Sequence, residues 1–212
     1  MISIFSNLFI SSPTPTFSDN NIFLRFAQKD DYKEWSSLRL KNMDYLTPFE
    51  PTWNKSDLSE SAFMKRLSHY KNQAKTRAEF QFFIFLQNKE IKTLVGAISL
   101  SNIRYNAARH VTLGYWLSEE ENNKGIMSKS VKLILPFIFD SLQLVRVHAA
   151  CLPHNIASRK LLEKNGFEEE GYSKDYLQIN GIWQDHVLYA LTKEKYLSLY
   201  TCETNKTALP KE

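Results

Sequence analysis

The sequence predicts an α+β domain, and three observations lead there. Two apolar runs, Phe80–Leu86 and Leu94–Leu100, flank a short polar QNKE, the pattern of a β-hairpin. Asn180-Gly181, a strong hairpin turn, divides a second pair of runs, Phe167–Ile179 and Trp183–Leu191. Between them, Ser128–Leu142 carries apolar residues at helical spacing and Asn155–Asn165 reads as a helix, so helices interrupt a strand-rich chain.

In chain order, Met1–Asn20, with Pro13 and Pro15, reads as an irregular lead-in. Asn21–Phe26 is a short strand. Asp30 or Asp31 caps a helix with Tyr32, Trp35 and Leu38 along one stripe. DYLTPFEPTWN is proline-broken and aromatic, hence a loop. Ser56 then caps a helix in which Phe63, Leu67 and Tyr70 share a face. After the hairpin, Val111–Leu117 is a third long strand. In Ser128–Leu142, Pro136 removes a backbone hydrogen bond at a cost of about 3 kcal/mol, which predicts a kink or break. Val145–Ala150 alternates like a half-buried strand, and Gly166 stops the following helix. The domain spans 21–200, and 201–212 is a polar tail.

With 212 residues, 43% of them apolar, the chain suits one domain with a proper core. Its net charge of +4 is scattered, without a Lys/Arg run, so sequence-specific nucleic-acid binding is not indicated. Cys151 and Cys202 cannot make a disulfide framework and read as reduced thiols. The opening MISIFSNLFISS lacks a basic region and a cleavage site, and no window approaches a membrane span of about 20 apolar residues. These features predict a cytoplasmic protein away from the membrane.

The most informative stretch is Leu113–Phe167. LGYWLSEEENNKGIMSKS is a strand, a loop with Gly125 where a helix should start, and then that helix. ACLPHNIASRKLLEKNGF is a strand end followed by a helix opened by Asn155. Free N–H groups at such a loop suit a pyrophosphate. Together these segments resemble the acetyl-coenzyme A site of the GNAT acetyltransferases, and within them the RimJ/RimL-type ribosomal-protein alanine N-acetyltransferases. The resemblance implies a mixed, mostly antiparallel twisted sheet of about seven strands flanked by about four helices, the number of runs counted above. It implies acetyl-coenzyme A as co-substrate, and the residues themselves offer no metal-ligand spacing, so no metal is expected. The phosphate loop, written Q/R-x-x-G-x-G/A in the family, falls on Asn122, Asn123, Lys124, Gly125, Ile126 and Met127 and runs on into Ser128. Asn122 departs from Gln/Arg, and Met127 matches the Gly-Φ-Met of the RimJ type. Tyr115, Trp116 and Leu117 end a strand that splays in the family and pairs with the pantetheine arm, and the backbone near Leu117 is the expected oxyanion donor. A tyrosine commonly acts as the family's general acid; Leu162 stands at that position and cannot. The RimJ/RimL resemblance offers Ser158 instead, with Asn155 capping the helix and touching the cofactor.

Candidate general bases are Glu50, in YLTPFEPTW, which resembles the family's loop over the acceptor pocket, and Tyr176, Asp175 and Asp185, in YSKDYLQINGIWQDHVLYAL, which resembles the RimJ-type hairpin. Asp175 and Asp185 read more simply as hairpin-holding residues. Cys151 could carry an acyl group, but direct attack in a ternary complex needs fewer parts. His148, Cys151 and His154 match no zinc spacing. An α-amine titrating near 7.7–8.0 is about one-tenth neutral at pH 7, whereas a lysine near 10.4 is neutral in about one molecule in a few thousand. An N-terminal acceptor therefore tolerates a weak base better than a lysine does. By resemblance, the acceptor is the N-terminal alanine of a ribosomal protein, the fifth of the small subunit being the family's named substrate, with the enzyme working near the ribosome. The rivals are an acetyltransferase for a small amine and a non-catalytic ribosome-binding module.

Overall fold

The computed structural model describes residues 15–204, with side chains through residue 200. Its strands are β1 (Phe17–Asp19), β2 (Ile22–Phe26), β3 (Phe80–Asn88), β4 (Ile91–Arg104), β5 (His110–Leu117), β6 (Arg146–Cys151), β7 (Glu168–Ile179) and β8 (Ile182–Thr192). Its helices are α1 (Tyr32–Lys41), α2 (Met43–Leu46), α3 (Glu60–Lys75), α4 (Ile126–Pro136), α5 (Ile156–Lys164) and α6 (Lys193–Thr204). One sheet holds all eight strands in the order β1-β2-β3-β4-β5-β6-β8-β7. Among the described residues β5 and β6 are parallel neighbours, and every other adjacent pair is antiparallel. The fold is the expected mixed sheet, with one strand and two helices more than the apolar runs suggest.

The additional strand, β1, occupies the end of the segment read as an irregular lead-in; the rest of that segment before residue 15 lies outside the described residues. Phe17 explains it, because its ring packs 5.5 Å from both Phe82 and Phe137. At the other end, α6 runs four residues into the segment read as a polar tail; Cys202's side chain and 205–212 lie outside the described residues. Two caps differ from the sequence reading. Asp31 precedes α1, but its carboxylate pairs with Arg25 at 2.7 and 2.6 Å and accepts the Gln28 N–H at 2.7 Å. Ser59, not Ser56, caps α3, accepting the Ala62 N–H at 3.3 Å. Ser56 sits in a preceding 3-10 turn that Asn54 caps.

The strand β3 reads FQFFIFL because both of its faces are covered. Phe80, Phe82 and Ile84 join the core beneath α4, while Phe83 and Phe85 join Trp35, Phe63 and Leu67 beneath α1 and α3. Pro136 ends the α-helical bonding of α4, as expected, and Phe137–Ser141 continue as a π-helical turn closed by the Leu142 N–H on the Phe137 carbonyl at 2.9 Å. That wider turn swings Phe137 onto Phe80, 5.1 Å away and edge-on. The last hairpin turns on Asn180 (φ 45°) and Gly181 (φ 80°), both left-handed, as a type I′ turn requires.

The feature that positions the site is a parting of strands. β5 pairs with β4 along its length, but with β6 only through His110, Val111 and Thr112 opposite Arg146, Val147 and His148. Beyond Thr112 the two diverge, as the family resemblance implied. The Ser118 N–H donates to the Val95 carbonyl of β4 at 2.8 Å. Backbone groups alternate along a strand, so Tyr115 and Leu117 turn theirs away from β4, into the gap. Gly96 lies opposite Leu117, where a Cβ would collide with the Trp116 carbonyl oxygen and stand 3.0 Å from Leu117 Cδ1. Gly96→Ala is therefore expected to lower stability by about 1–3 kcal/mol, the usual cost of overpacking. A fall in the urea midpoint at unchanged slope is the check.

Candidate active site

The gap opens into a cleft of about 400 Å³. Its wall contains Glu50, Tyr115, Trp116, Leu117, Asn122 and Asn123. Gly125, Ile126, Met127, Ser128, Asn155 and Ser158 complete the sequence-predicted residues that line it. Lys124 and Tyr176 are not among the lining residues. Lys124 extends to Glu121, 3.2 Å away, an i,i+3 pair of which Glu121 and not Lys124 lines the cleft. Tyr176 lies on the outer part of β7, 43% exposed, with its ring 5.5 Å from His186.

The loop before α4 is built for an anion. Asn123 (φ 60°) and Gly125 (φ 76°) are both left-handed, and the start of α4 has no side-chain cap. Its first-turn N–H groups thus have neither an intrahelical acceptor nor a side-chain one. A Cβ on Gly125 would meet nothing within 4 Å, so backbone conformation, not crowding by the protein, demands glycine. Asn122 donates to the Tyr45 hydroxyl at 2.8 Å, and Asn42 accepts the Glu119 N–H at 2.8 Å. The Asn that replaces the family's Gln/Arg thus fastens the loop to α2. Ser128 lines the cleft while its hydroxyl accepts from Asn165 at 3.1 Å, tying α4 to the end of α5.

Across the gap, Asn155 caps α5 by accepting the Ser158 N–H at 3.1 Å. Ser158 Oγ and the Tyr115 hydroxyl are 2.8 Å apart. Burial pushes the Tyr115 phenol well above its ordinary range. Cys151 is buried, and burial pushes its thiol up as well, which disfavours the thiolate that an acyl-cysteine route would need. Leu162 is fully buried in the main core. His148 stacks on His110 at 4.6 Å, whereas His154 lies against Phe49 at 6.3 Å, so the two histidines serve different surfaces.

Glu50 lines the cleft, but its carboxylate is engaged. Arg39 donates to both oxygens at 2.8 and 2.5 Å, and Trp53 Nε1 donates at 3.0 Å. The Arg39 guanidinium lies 4.6 Å from the Trp53 ring and 4.9 Å from that of Trp116. The Glu50 carbonyl also accepts the Asn180 N–H at 2.8 Å, joining this loop to the last hairpin. This geometry makes Glu50 an anchor of the loop. Asp185 likewise accepts from the Tyr172 hydroxyl at 2.7 Å and the Asp175 N–H at 2.9 Å, and these bonds, Tyr172 first, hold its carboxyl below the usual range.

Sequence reasoning missed Tyr45, Leu46, Glu121, Ala157, Lys160, Leu161 and Lys164 in the wall. Most of the α5 residues were recoverable, since Ala157, Lys160, Leu161 and Lys164 follow the i, i+3, i+4, i+7 spacing of one helical face. Tyr45 and Leu46 open the YLTPFEPTW stretch that resembles the family's loop over the acceptor pocket, but no spacing rule singles out Tyr45 on the four-residue α2.

A parted strand pair beside an uncapped helix start is the architecture of a coenzyme A-dependent acyltransferase. Residues 21–168 match the family model described as the acetyltransferase (GNAT) domain. The chain belongs to this family and is an N-acetyltransferase. It is 30% identical over 180 residues to the ribosomal protein uS5-alanine N-acetyltransferase of Escherichia coli (strain K12), covering 85% of this chain and 92% of that relative. Mycobacterium smegmatis RimJ, solved with CoA-disulfide, superposes with TM-score 0.80 at 29% identity, over 86% of this chain and 89% of that one. The ribosomal-protein-S5-alanine acetyltransferase of Vibrio fischeri superposes with TM-score 0.79 at 28% identity, over 86% and 98% of the two chains.

Two outcomes are expected from this geometry. Glu50→Gln should lower stability by about 3 kcal/mol, because it strands the buried Arg39 charge, while leaving the form of the pH–rate profile intact; loss of the acidic limb would instead make Glu50 the base. Gly125→Val should weaken coenzyme A binding at least tenfold in calorimetry, since a β-branched residue resists φ 76° and reshapes the loop.

Proposed function

We propose that this chain transfers the acetyl group of acetyl-coenzyme A to the N-terminal α-amine of a protein, with the alanine terminus of a ribosomal protein as the favoured acceptor, in the cytoplasm near the ribosome. The observation that carries the acceptor class is the pairing of both carboxylates in the cleft wall. Glu50 is held by Arg39 and Glu121 by Lys124, so neither offers a free charge to a polyamine. An α-amine needs no such charge and is already about one-tenth neutral at pH 7. The E. coli relative is a ribosomal protein uS5-alanine N-acetyltransferase and the V. fischeri structure is that of a ribosomal-protein-S5-alanine acetyltransferase, which supports this acceptor.

The chain's own residues suit the co-substrate. The left-handed turn at Asn123 and Gly125 and the uncapped amides of α4 suit a pyrophosphate. The outward backbone groups of Tyr115 and Leu117 offer strand-like pairing to an amide-bearing arm. Acetyl-coenzyme A supplies the activated acetyl thioester. Leu117 offers a backbone N–H where negative charge develops on the acyl oxygen. Ser158 offers a hydroxyl donor to a departing thiolate. Phe49 and Trp116 line the cleft where the two substrates meet, and a water relay removes the amine's proton.

The test is thiol release from acetyl-coenzyme A with an Ala-starting ribosomal-protein peptide, the same peptide N-terminally blocked, and spermidine. Release with the free peptide alone is expected. Release with spermidine alone would reassign the acceptor to a small amine; coenzyme A binding without release on any acceptor would favour a binding module. Ser158→Ala should lower kcat about 10–100-fold with coenzyme A affinity nearly unchanged, as for loss of one oriented donor.

A further inference from the structure

We propose that Tyr115 is a positioning residue for thiol departure: by donating its phenol hydrogen to Ser158 Oγ, it leaves the serine's own hydrogen free to point into the cleft. The inference rests on the reading of Ser158 given above.

Tyr115 and Ser158 come from elements on opposite sides of the gap, β5 and α5, and their oxygens are 2.8 Å apart. Either oxygen could donate, but the groups are not equivalent. A phenol is the stronger donor and an alkanol oxygen the better acceptor. Among the described residues, Ser158 is the hydrogen-bond partner of the Tyr115 hydroxyl. If Ser158 donated to it, the largely buried phenol hydrogen would have no acceptor among the described residues, at a cost of about 1–3 kcal/mol. The groups that influence the phenol besides Ser158 are the neutral Cys151 and Tyr189, with no carboxylate or ammonium among them. Burial keeps it protonated, so Tyr115 acts as a fixed donor and not as a proton reservoir.

The serine has little freedom of its own. Asn155 holds its N–H at 3.1 Å, fixing its place in the first turn of α5. The Cys151 thiol, kept neutral by burial, also hydrogen-bonds Ser158, and a neutral thiol can donate to the serine's second lone pair. With the backbone fixed and the oxygen accepting from Tyr115, the Ser158 hydrogen then points away from the phenol. Hydrogen bonds in such a chain strengthen one another. Ser158 keeps its proton throughout transfer. As the acetyl–sulfur bond breaks, its electron pair passes to sulfur; the new bond forms to the amine nitrogen, whose proton goes to water, and sulfur later takes a proton from water. The Tyr115–Ser158 pair lowers the cost of the sulfur anion between those events.

Two readouts test this on the full chain, with Tyr115→Phe, Ser158→Ala and the double variant. The first is the pH at which bound coenzyme A loses its thiol proton, followed by thiolate ultraviolet absorbance. Both single variants should raise that midpoint by about one unit, a tenfold loss of thiolate preference, with thermal midpoints and coenzyme A affinity near wild type. The second is turnover: Tyr115→Phe should lower kcat about tenfold, and the double variant should be no slower than Ser158→Ala. Ser158→Thr, which keeps a hydroxyl, should recover part of the rate. An unshifted thiol midpoint in Tyr115→Phe, or losses that multiply in the double variant, would overturn the inference. A wild-type chain that lowers the thiol midpoint without turning over any amine would instead sink the proposed function and leave the hydrogen-bond chain standing.

Discussion

Everything in the site depends on β5 leaving β6 after three paired residues. A strand interior with unpaired N–H and C=O groups is costly unless something else satisfies them. Here each strand keeps its other neighbour: β5 stays paired to β4 through Leu117, and β6 to β8 through Cys151. The parting therefore costs one row of bonds on each strand, not two. Beneath it, Val111, Leu113, Val131, Ile134, Ala149 and Leu162 belong to one continuous core, which holds the diverging strands at fixed positions. The gap is a wedge in a rigid sheet, so a ligand that completes the missing row meets little reorganisation.

The two sides of the cleft are also bound to each other through side chains. The phosphate-type loop is fastened to α2 by Asn122 on Tyr45 and by Asn42 on the Glu119 N–H. The same stretch leads within a few residues to Phe49 and Glu50, and Glu50 is locked to Arg39, which lies between Trp53 and Trp116. Trp116 in turn belongs to the splayed strand. A guanidinium that joins a carboxylate and two aromatic faces links the loop over the cleft to the strand that forms its wall. The acceptor side and the coenzyme side are one packed unit, and disturbing either end loosens the other.

Much of this was legible in the sequence, and the reasons differ by element. β3 was readable because two buried faces force a continuous apolar run, and the last hairpin because Asn180-Gly181 is suited to two left-handed residues. The loop before α4 was readable because its glycine is required by backbone conformation, which no other residue adopts as cheaply. Caps were less readable: Asp31 and Ser56 have capping chemistry, yet Arg25 competes for the first and Ser59 stands nearer the true start of α3. β1 and the role of Glu50 were not readable, because each is decided by a partner on another element that no spacing rule selects, the distant Phe137 for the one and Arg39 of α1 for the other. Sequence spacing carries local rules well and distant partners poorly.

The fate of the acid position shows how a site can keep its chemistry while its residues move. Leu162 occupies the place where the wider family carries a tyrosine, and it is wholly buried, so a hydroxyl there would lie in apolar surroundings. One turn earlier on α5, Ser158 faces the cleft instead, and a tyrosine hydroxyl reaches it from the opposite wall. A serine alone is a floppy donor, since its hydrogen rotates freely. Placing the phenol of Tyr115 against it restores a defined direction without placing a charge in the cleft. The pair also crosses the gap where the backbones of β5 and β6 no longer bond. The side-chain contact that orients the serine is thus one that becomes available only because the strands have parted.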